Sequence, residues 1–291
     1  MIRAAASLRA DESSSSRQQL RLFQSDREFT FYLGAPNPAW LYQYPDAPLF
    51  VSRRQMPRSR FVPAVTKWAL DSGGFTELQQ FGRWTIDAHE YSVLVNRYHR
   101  NVGKLQWAAP QDWMCEPIVI EGGSAGGIQF AGTGLSVYEH QRRTVDNFIE
   151  LSGLCDVPVI PVIQGFTRDE YHDCIDMYFE SGVDLTTFPT VGVGSICRRQ
   201  ATREAVEILK SINSRGINIH GFGLKQEALK NAVCYLVSAD SMAWSFNARR
   251  AGPATCGKIN SRTGEPIKNC ANCYHAALEW YTKTMNLIQS I

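Results

Sequence analysis

Three aspartates follow buried, apolar stretches of the chain, where their carboxyl groups are placed to do chemistry. Asp71, Asp112 and Asp240 each end such a stretch, and Gln164 ends a fourth. Any one aspartate at such a position is explained by helix capping, which this residue type favours. Three of them together, with an amide side chain at a fourth strand end, favour a polar site built on an apolar scaffold.

Paired carboxyl groups suit the transfer of a glycosyl group. One carboxylate attacks the anomeric carbon and a second carboxyl group exchanges a proton with the leaving group, so that configuration is retained through a covalent intermediate. We assign the nucleophile to Asp240, because an apolar approach delivers it and the segment Asn247–Arg250 follows. A third carboxylate beside an amide suits the Watson–Crick edge of guanine, whose N1–H and N2–H₂ are donors and whose O6 is an acceptor.

Residues near the C-terminus predict a structural zinc site. Cys256, Cys270, Cys273 and His275 are separated by thirteen, two and one residues, and the long arm contains glycines and a proline. A CxxC pair chelates zinc well, and four protein ligands leave no position for water, which is typical of a structural ion. The alternative is three ordinary thiols, with His275 capping the helix that follows.

Buried strands alternate with amphipathic helices along the chain. Strands are predicted at 29–33, 48–52, 67–70, 105–110, 157–163, 190–195, 217–223 and 235–237. This alternation predicts an α/β fold, and eight strands favour a (β/α)₈ TIM barrel over an open sheet. In such a barrel the functional residues lie at the carboxyl ends of the strands, so the three aspartates, Gln164 and Gly194 would converge on one face. His220 lies at the same mouth, where it either stacks on a bound base or completes the core.

The domain organisation predicted from composition is simple. We expect residues 1–25 to form a disordered tail, although their arginines also fit a transit peptide. Residues 26–291 are expected to form one catalytic domain that includes a zinc-binding subdomain at 250–280. The stretch 121–134 contains six glycines and no helical period. This composition predicts a mobile loop, and one hypothesis is that the loop forms a lid over the pocket.

Charge and motif content exclude several classes of protein. The net charge of +2 means that any nucleic-acid site is a local basic patch and not a global field. A proline-containing loop carries four arginines, Arg53, Arg54, Arg58 and Arg60. They form either a solvated surface or contacts to phosphate. The absence of a P-loop, a GxSxG elbow and an HExxH helix argues against NTPases, serine hydrolases and zinc proteases. Scattered single cysteines and the lack of a long apolar run predict a cytoplasmic protein with reduced thiols and no membrane span.

Several motifs resemble those of one family, the tRNA-guanine transglycosylases, and most closely their DNA-directed relatives, the DpdA proteins. The resemblance runs from about Phe29 to Ile291. It rests on the DSGGF signature at 71–75, on Asp112, on the IQG sequence at 163–165, and on the DSMAW sequence at 240–244 followed by Ala248 and Arg249. DSGGF is specific in this context, and the other motifs support it.

The resemblance implies a TIM barrel with a zinc-bound insertion near its C-terminus and an exchange of bases that needs no ATP. It implies that Asp240 attacks C1′ and expels guanine, and that Asp71 is the general acid and base. It also implies a base pocket. Its expected members are Ser72 and Phe75 from the signature, with Phe75 stacking on the base, and Asp112, Gln164, Gly194 and His220.

Two departures from the family refine these expectations. The spacing of the cysteines differs from that of the transfer-RNA enzymes, which leaves His275 the least secure zinc ligand. Residues 185–203 contain no acid, whereas bacterial members place a glutamate there that suits an aminomethyl ammonium. An uncharged substituent such as the nitrile of preQ0 therefore fits better.

The sequence thus predicts a DNA guanine transglycosylase that inserts preQ0 or a similar 7-deazaguanine, in a bacterial or phage DNA-modification system. Its DNA would present a flipped or single-stranded guanine. The candidate backbone contacts are Arg53, Arg54, Arg198, Arg199, Arg249 and Arg250. The alternatives are the same exchange on tRNA, or a non-catalytic partner subunit that binds nucleic acid. Oligomers and helper proteins are compatible with each.

Overall fold

The computed structural model describes residues 29–196, 203–252, 254, 256–257, 259 and 263–291. The tail predicted for 1–25 lies outside this part of the chain. The described strands are β1 (Thr30–Ala35), β2 (Leu49–Ser52), β3 (Trp68–Asp71), β4 (Leu105–Ala108), β5 (Gly123–Ala125), β6 (Ile128–Phe130), β7 (Val162–Ile163), β8 (Val191–Val193), β9 (Ile219–Gly221) and β10 (Leu236–Ser241). Eight of them form one parallel sheet in the order β4-β3-β2-β1-β10-β9-β8-β7.

This sheet is curled, and its two outer strands approach each other. The backbone N–H of Ala108 in β4 donates to Pro158 at 3.0 Å, and the N–H of Ile160 donates back to Ala108 at 3.1 Å. These two bonds form a parallel bridge to Val159, on the segment that leads into β7 at the opposite end of the strand order. The α/β class predicted from the sequence is confirmed, as a curled parallel half-barrel consistent with a TIM-like fold.

Helices connect the strands and cover the outside of the sheet. The described helices are α1 (Trp40–Gln43), α2 (Gly74–Phe81), α3 (Ala88–Val102), α4 (Pro117–Glu121), α5 (Val137–Leu154), α6 (Arg168–Glu180), α7 (Arg203–Asn213), α8 (Gln226–Ala232), α9 (Ala243–Arg250) and α10 (Tyr274–Gln289). Asp87, Ser136 and Thr167 cap α3, α5 and α6, each accepting the backbone N–H three residues on. Each cap satisfies an N–H that the helix cannot, and so fixes where the helix begins.

The two faces of the sheet carry different clusters of side chains, because successive residues of a strand point to opposite sides. Phe31 of β1 points outward and contacts Trp280 and Tyr281 of α10, with ring centroids 5.9 and 6.0 Å apart. Tyr32 points to the other face and joins a smaller cluster that includes Trp107. The inner face is therefore packed with side chains and closes the floor below the strand ends.

The glycine-rich stretch 121–134, predicted as a mobile loop, contains a β-hairpin. Strands β5 and β6 pair antiparallel. Gly126 and Gly127 both adopt positive φ, at 59° and 78°, as a two-residue hairpin turn of the primed type requires. Phe130 is 2% exposed, and the N–H of Ala131 donates to Gln79 of α2 at 3.0 Å, so the hairpin is packed against that helix.

In the described part of the chain, no helix combines the length and the apolar composition needed to cross a bilayer.

Candidate active site

A cavity of about 620 Å³ opens at the carboxyl ends of the strands. Segments that follow β3, β4, β8, β9 and β10 contribute to its wall. Four of the lining side chains are acids, namely Asp71, Asp112, Glu116 and Asp240. The other described lining residues are Phe50, Gly74, Phe75, Ala109, Met114, Gly194, Ser195, Phe222, Gly223, Lys225, Met242, Ala243 and Phe246. The fold thus brings together the three aspartates singled out from the sequence.

Asp240 lies in the last part of β10 and is 5% exposed. The parallel register of β10 with β1 places it opposite Tyr32. Its Oδ1 accepts the backbone N–H of Gly223 at 2.9 Å and lies 3.4 Å from Nε2 of His220. The carboxyl group of Asp240 is thus held through one oxygen at the wall of the cavity.

His220, predicted either to stack on a base or to complete the core, is fully buried. Its ring lies among four aromatic side chains, Tyr32, Phe50, Trp107 and Phe222, with centroid distances from 4.7 to 6.1 Å. Nδ1 lies 2.8 Å from the hydroxyl of Ser238, whereas Nε2 has no well-aligned hydrogen bond. The enclosed ring leaves no face for a base, so His220 reaches the site only through the lining residues that it contacts, Asp240, Phe50 and Phe222.

Asp71 ends β3 and is held from both sides. Ser52, its register partner on β2, donates to its carboxyl group, as does the backbone N–H of Gly73. Burial raises the pKa of Asp71, and the nearby charge of Asp240 raises it further, while the two hydrogen bonds and Arg53 oppose the shift. A carboxyl group with a raised pKa keeps its proton to higher pH, which suits it to give and take a proton.

The Asp71 loop is anchored by a buried ion pair. Glu77 on α2 is 1% exposed and pairs with Arg53 at 2.6 Å and with Arg54 at 2.7 Å. Arg53 also donates through Nε to the carbonyl of Ser72 at 3.0 Å. Both arginines, predicted to contact a nucleic-acid backbone, are thus engaged within the fold. Ser72, predicted to bind the base, is 1% exposed and is not among the described residues that line the cavity.

Asp112 follows β4 and also lines the cavity. Burial, followed by the charge of Asp71, raises its pKa to about 7, although the hydrogen bond from Gln164 opposes this. Gln164, which is fully buried, donates from Nε2 to Oδ2 of Asp112. A side chain at position 194 would collide with that amide, since a Cβ there would lie 2.1 Å from Nε2. Gly194 is therefore required by the amide that orients Asp112.

Glu116 was not predicted as a site residue, although it lines the cavity and is 4% exposed. The hydroxyl of Ser195 lies 2.9 Å from its Oε2. Ser195 follows β8, at the strand end where the sequence between 185 and 203 offers no acid. A carboxyl group therefore reaches this strand end from the loop after β4. The cysteine and proline that flank Glu116 gave no sign of this, because the contact joins residues 79 positions apart.

Aromatic and apolar side chains form the mouth of the cavity. Phe75, Met242 and Phe246 are 40, 37 and 47% exposed. The guanidinium of Arg250 stacks over the ring of Phe246 at 4.1 Å. Arg249 is also exposed on α9, whereas Arg198 and Arg199 lie outside the described residues. This mouth combines ring faces with a cation, a combination that proteins use to hold unpaired bases and the adjacent backbone.

Three cysteine sulfur atoms meet beyond α9. The Sγ atoms of Cys256, Cys270 and Cys273 all lie within 4.8 Å of one another. Zinc–sulfur bonds of about 2.3 Å in a tetrahedral site place the sulfurs about 3.8 Å apart, so the cluster fits a zinc ion. His275, the predicted fourth ligand, is exposed and does not join the cluster. Ser245 of α9 donates to the carbonyl of Ala271 at 2.8 Å, which ties the cluster to the helix after Asp240.

The protein is therefore of the α/β class, with a curled parallel sheet consistent with a TIM-like fold and with an acidic pocket at the carboxyl ends of the strands. The family model described as DpdA, DeoxyPurine in DNA protein A, matches residues 27–291, and the chain belongs to this family. The description of the family concerns a deoxypurine in DNA.

Two further comparisons add little. No curated protein matches the chain. Among solved structures, one match is a Sinorhizobium meliloti protein described as a putative isomerase in an open-loop conformation. The alignment covers 76% of this chain and 52% of the Sinorhizobium chain, with 11% sequence identity and a TM-score of 0.39. This chain therefore spans about half the length of that protein.

Proposed function

We propose that the protein exchanges guanine in DNA for a 7-deazaguanine such as preQ0 through a covalent aspartyl-glycosyl intermediate. The observation that carries the proposal is the placement of Asp240, Asp71 and Asp112 around one cavity. Retaining glycosyl transfer needs a nucleophilic carboxylate and a second carboxyl group that moves a proton. Binding of guanine needs acceptors for N1–H and N2–H₂, which Asp112 supplies.

In the first half of the reaction the Asp240 carboxylate forms a bond to C1′ of the target deoxyguanosine. The bond from C1′ to N9 breaks, its electron pair goes to the base, and Asp71 gives its proton to the departing guanine. Asp71 is suited to this step because its pKa is raised by burial. His220, enclosed by aromatic rings, and the Gly223 N–H hold Asp240 in place for the attack.

In the second half a deazaguanine occupies the place of guanine. Asp71, now a carboxylate, takes the N9 proton of the new base, N9 bonds to C1′, and Asp240 leaves as a carboxylate. Two displacements at C1′ retain its configuration. No ATP is consumed, because the glycosidic bond energy is conserved in the intermediate.

The DNA must present its guanine outside the helix stack, because the attack on C1′ and binding of the base edge cannot both occur inside a duplex. Phe75 and Phe246 at the mouth supply ring faces for the extruded base or its neighbour, and Arg250 supplies a contact to phosphate. Three cysteines and a fourth ligand bind a structural zinc ion that stiffens the segment after α9. In this proposal the curled sheet is a (β/α)₈ barrel.

The test is incubation of the purified protein and radiolabelled preQ0 with guanine-containing DNA in one reaction and with tRNA in another. Nucleoside analysis of each reaction then locates the label. Label in deoxynucleosides, absent with Asp240→Asn, supports the proposal. Label in tRNA alone moves the activity to RNA. Binding of DNA without exchange of bases, under conditions in which the zinc site is filled, favours a non-catalytic partner subunit.

A further inference from the structure

Four side chains form a continuous chain of contacts along one side of the cavity. Gln164 Nε2 donates to Asp112 Oδ2, and Gln164 Oε1 lies 2.7 Å from the hydroxyl oxygen of Ser195. The same hydroxyl oxygen lies 2.9 Å from Oε2 of Glu116 and accepts the backbone N–H of Cys115 at 2.8 Å. Two carboxyl groups are therefore joined end to end through one amide and one hydroxyl.

This chain of contacts lacks one proton if both carboxyl groups are ionised. A serine hydroxyl has a single hydrogen, and here it faces two acceptors, Gln164 Oε1 and Glu116 Oε2. One of the two oxygen–oxygen contacts would then have no hydrogen between its atoms, in a buried place where an unsatisfied polar group is costly. A proton on Glu116 removes the conflict, because Glu116 then donates to Ser195, which donates to Gln164.

A second arrangement satisfies the same contacts with the proton at the other end. With the Gln164 amide rotated by half a turn, a protonated Asp112 donates to the amide oxygen, and the amide nitrogen donates to Ser195. The hydroxyl of Ser195 then donates to an ionised Glu116. In both arrangements Ser195 makes three hydrogen bonds, including the one from Cys115, and neither contact lacks a hydrogen.

We propose that Asp112 and Glu116 share one proton through Gln164 and Ser195, and that a bound guanine or deazaguanine shifts this proton from Asp112 to Glu116. The inference rests on the proposed function for the identity of the base. A base with N1–H and N2–H₂ donors needs Asp112 ionised. The proton that leaves Asp112 passes through water in the cavity to Glu116, while the amide and the hydroxyl rotate, and the net charge of the pocket does not change.

Other ionisable groups lie near this chain of contacts, and several of them interact with its carboxyl groups. They come from β3, from the loop after β4 and from α3, α6 and the loop after β9, namely Asp71, Cys115, Tyr91, Cys174, Tyr178, Glu170 and Lys225. Asp71 is the charge that acts most on Asp112. Because these groups are common to the wild type and to a Glu116 variant, a comparison of the two isolates the contribution of Glu116.

The shared proton also bears on the substituent of the incoming base. With a base on Asp112, Glu116 is uncharged, although it stands at the strand end where a charged acid would favour an ammonium group. An uncharged Glu116 at this strand end suits the nitrile of preQ0. The sequence predicts the same substituent for a different reason, the lack of an acid between 185 and 203.

The experiment measures the affinity of the full-length protein for free guanine by calorimetry as a function of pH, for the wild type and for Glu116→Gln. The glutamine amide still donates to Ser195 but takes up no proton. The wild type is expected to bind guanine with an affinity that is flat across the neutral range and with no release of protons. The variant is expected to lose about tenfold in affinity per pH unit below the pKa of Asp112, because it must release one proton.

The outcomes separate the inference from the proposed function. Coincident pH profiles for the two proteins, with guanine bound by both, overturn the shared proton and leave the proposed function standing. A wild type that binds no guanine at any pH overturns both. If circular dichroism shows that Glu116→Gln does not fold, the wild type alone tests the inference. Its guanine binding is then measured in buffers of different ionisation enthalpy, which reveals whether a proton is released. Release of a proton on binding overturns the inference.

Discussion

The guanidinium of Arg53 lies 2.6 Å from the carboxylate of Glu77 and donates at 3.0 Å to the carbonyl of Ser72, next to Asp71. Glu77 also accepts hydrogen bonds from the backbone and the hydroxyl of Thr85, at 3.1 and 2.6 Å. A carboxylate on α2 thereby fixes the loop that carries Asp71, the proposed general acid, and the arginine that connects them is only 11% exposed. Arg53 therefore holds the position of Asp71, and in the proposed reaction it acts through that position.

Substitution of Glu77 by glutamine is expected to lower the free energy of unfolding by about 3 kcal/mol, because it leaves two guanidinium groups without their partner. Urea unfolding at neutral pH measures this loss. Glu227→Gln is the control, since Glu227 forms only an exposed pair with Lys230 and its removal should cost less than about 1 kcal/mol. Equal losses in the two variants would show that Glu77 does not anchor the loop.

The same carboxylate predicts a dependence of stability on pH. Burial alone would raise the pKa of Glu77, but hydrogen bonds from Thr85 and the charge of Arg53 hold it below its usual value. A lowered pKa in the folded state means that the stabilisation is present above the unfolded pKa and is lost as pH falls through the folded one. The wild type should therefore lose more stability on acidification than Glu77→Gln, and parallel curves would contradict this.

Exchange should depend on Asp240 and Asp71 in different ways. Asp240→Asn removes the proposed nucleophile, so no protein–DNA adduct should be seen on a denaturing gel. Asp71→Asn should still allow adduct formation, slower by about 10² to 10⁴-fold, which is the contribution of a general acid. Because the pKa of Asp71 is raised, the wild-type rate of adduct formation should fall as pH rises above that pKa, and the slow rate of Asp71→Asn should stay flat. An unchanged pH profile in Asp71→Asn would assign the proton to another group.

The strand ends that bear the site could be predicted from the sequence because each is a short apolar run that stops at a polar residue. Asp71, Asp112 and Asp240 were found in this way, and the structure places all three in one cavity. Glu116 was missed because its partner Ser195 lies across the sheet, and no local pattern records such a contact. The hairpin at 123–130 had a local signal, the pair Gly126-Gly127 between short segments, which six glycines in the stretch obscured.

Zinc content should follow the three cysteines of the cluster. Cys270→Ser is expected to lower bound zinc from about one equivalent to near zero and to lower the thermal midpoint, because a structural site with a ligand missing binds poorly. Cys155→Ser is the control, since Cys155 is a half-buried thiol outside the cluster. His275→Ala is expected to keep its zinc, since His275 lies apart from the three sulfurs. Loss of zinc in His275→Ala would instead show that His275 is the fourth ligand.

DNA binding should depend on the mouth of the cavity. Arg250→Ala is expected to weaken binding of single-stranded DNA and to reduce the slope of log affinity against log salt by about 1, the effect of one phosphate contact. Arg100→Ala is the control, because Arg100 is exposed at the end of α3 that precedes β4 and pairs with Asp156 there. Equal salt slopes for the wild type and Arg250→Ala would remove Arg250 from the interface.

Gly194 offers a test of the amide that orients Asp112. A methyl group at this position would lie 2.1 Å from Nε2 of Gln164, and the amide is fully buried, so it has no open space to move into. Gly194→Ala is expected to cost about 1–3 kcal/mol of stability and to weaken guanine binding, because Asp112 loses its donor.

The matched control for Gly194→Ala is Gly153→Ala on α5, where an added methyl group meets no atom within 4 Å. A helical glycine replaced by alanine gains about 0.4–1 kcal/mol, because the unfolded chain has fewer conformations to lose. Guanine affinity should therefore be unchanged in Gly153→Ala and reduced in Gly194→Ala, as calorimetry would measure. If Gly194→Ala loses stability but keeps full affinity, Gln164 supports the fold at this strand end and does not control how Asp112 binds the base.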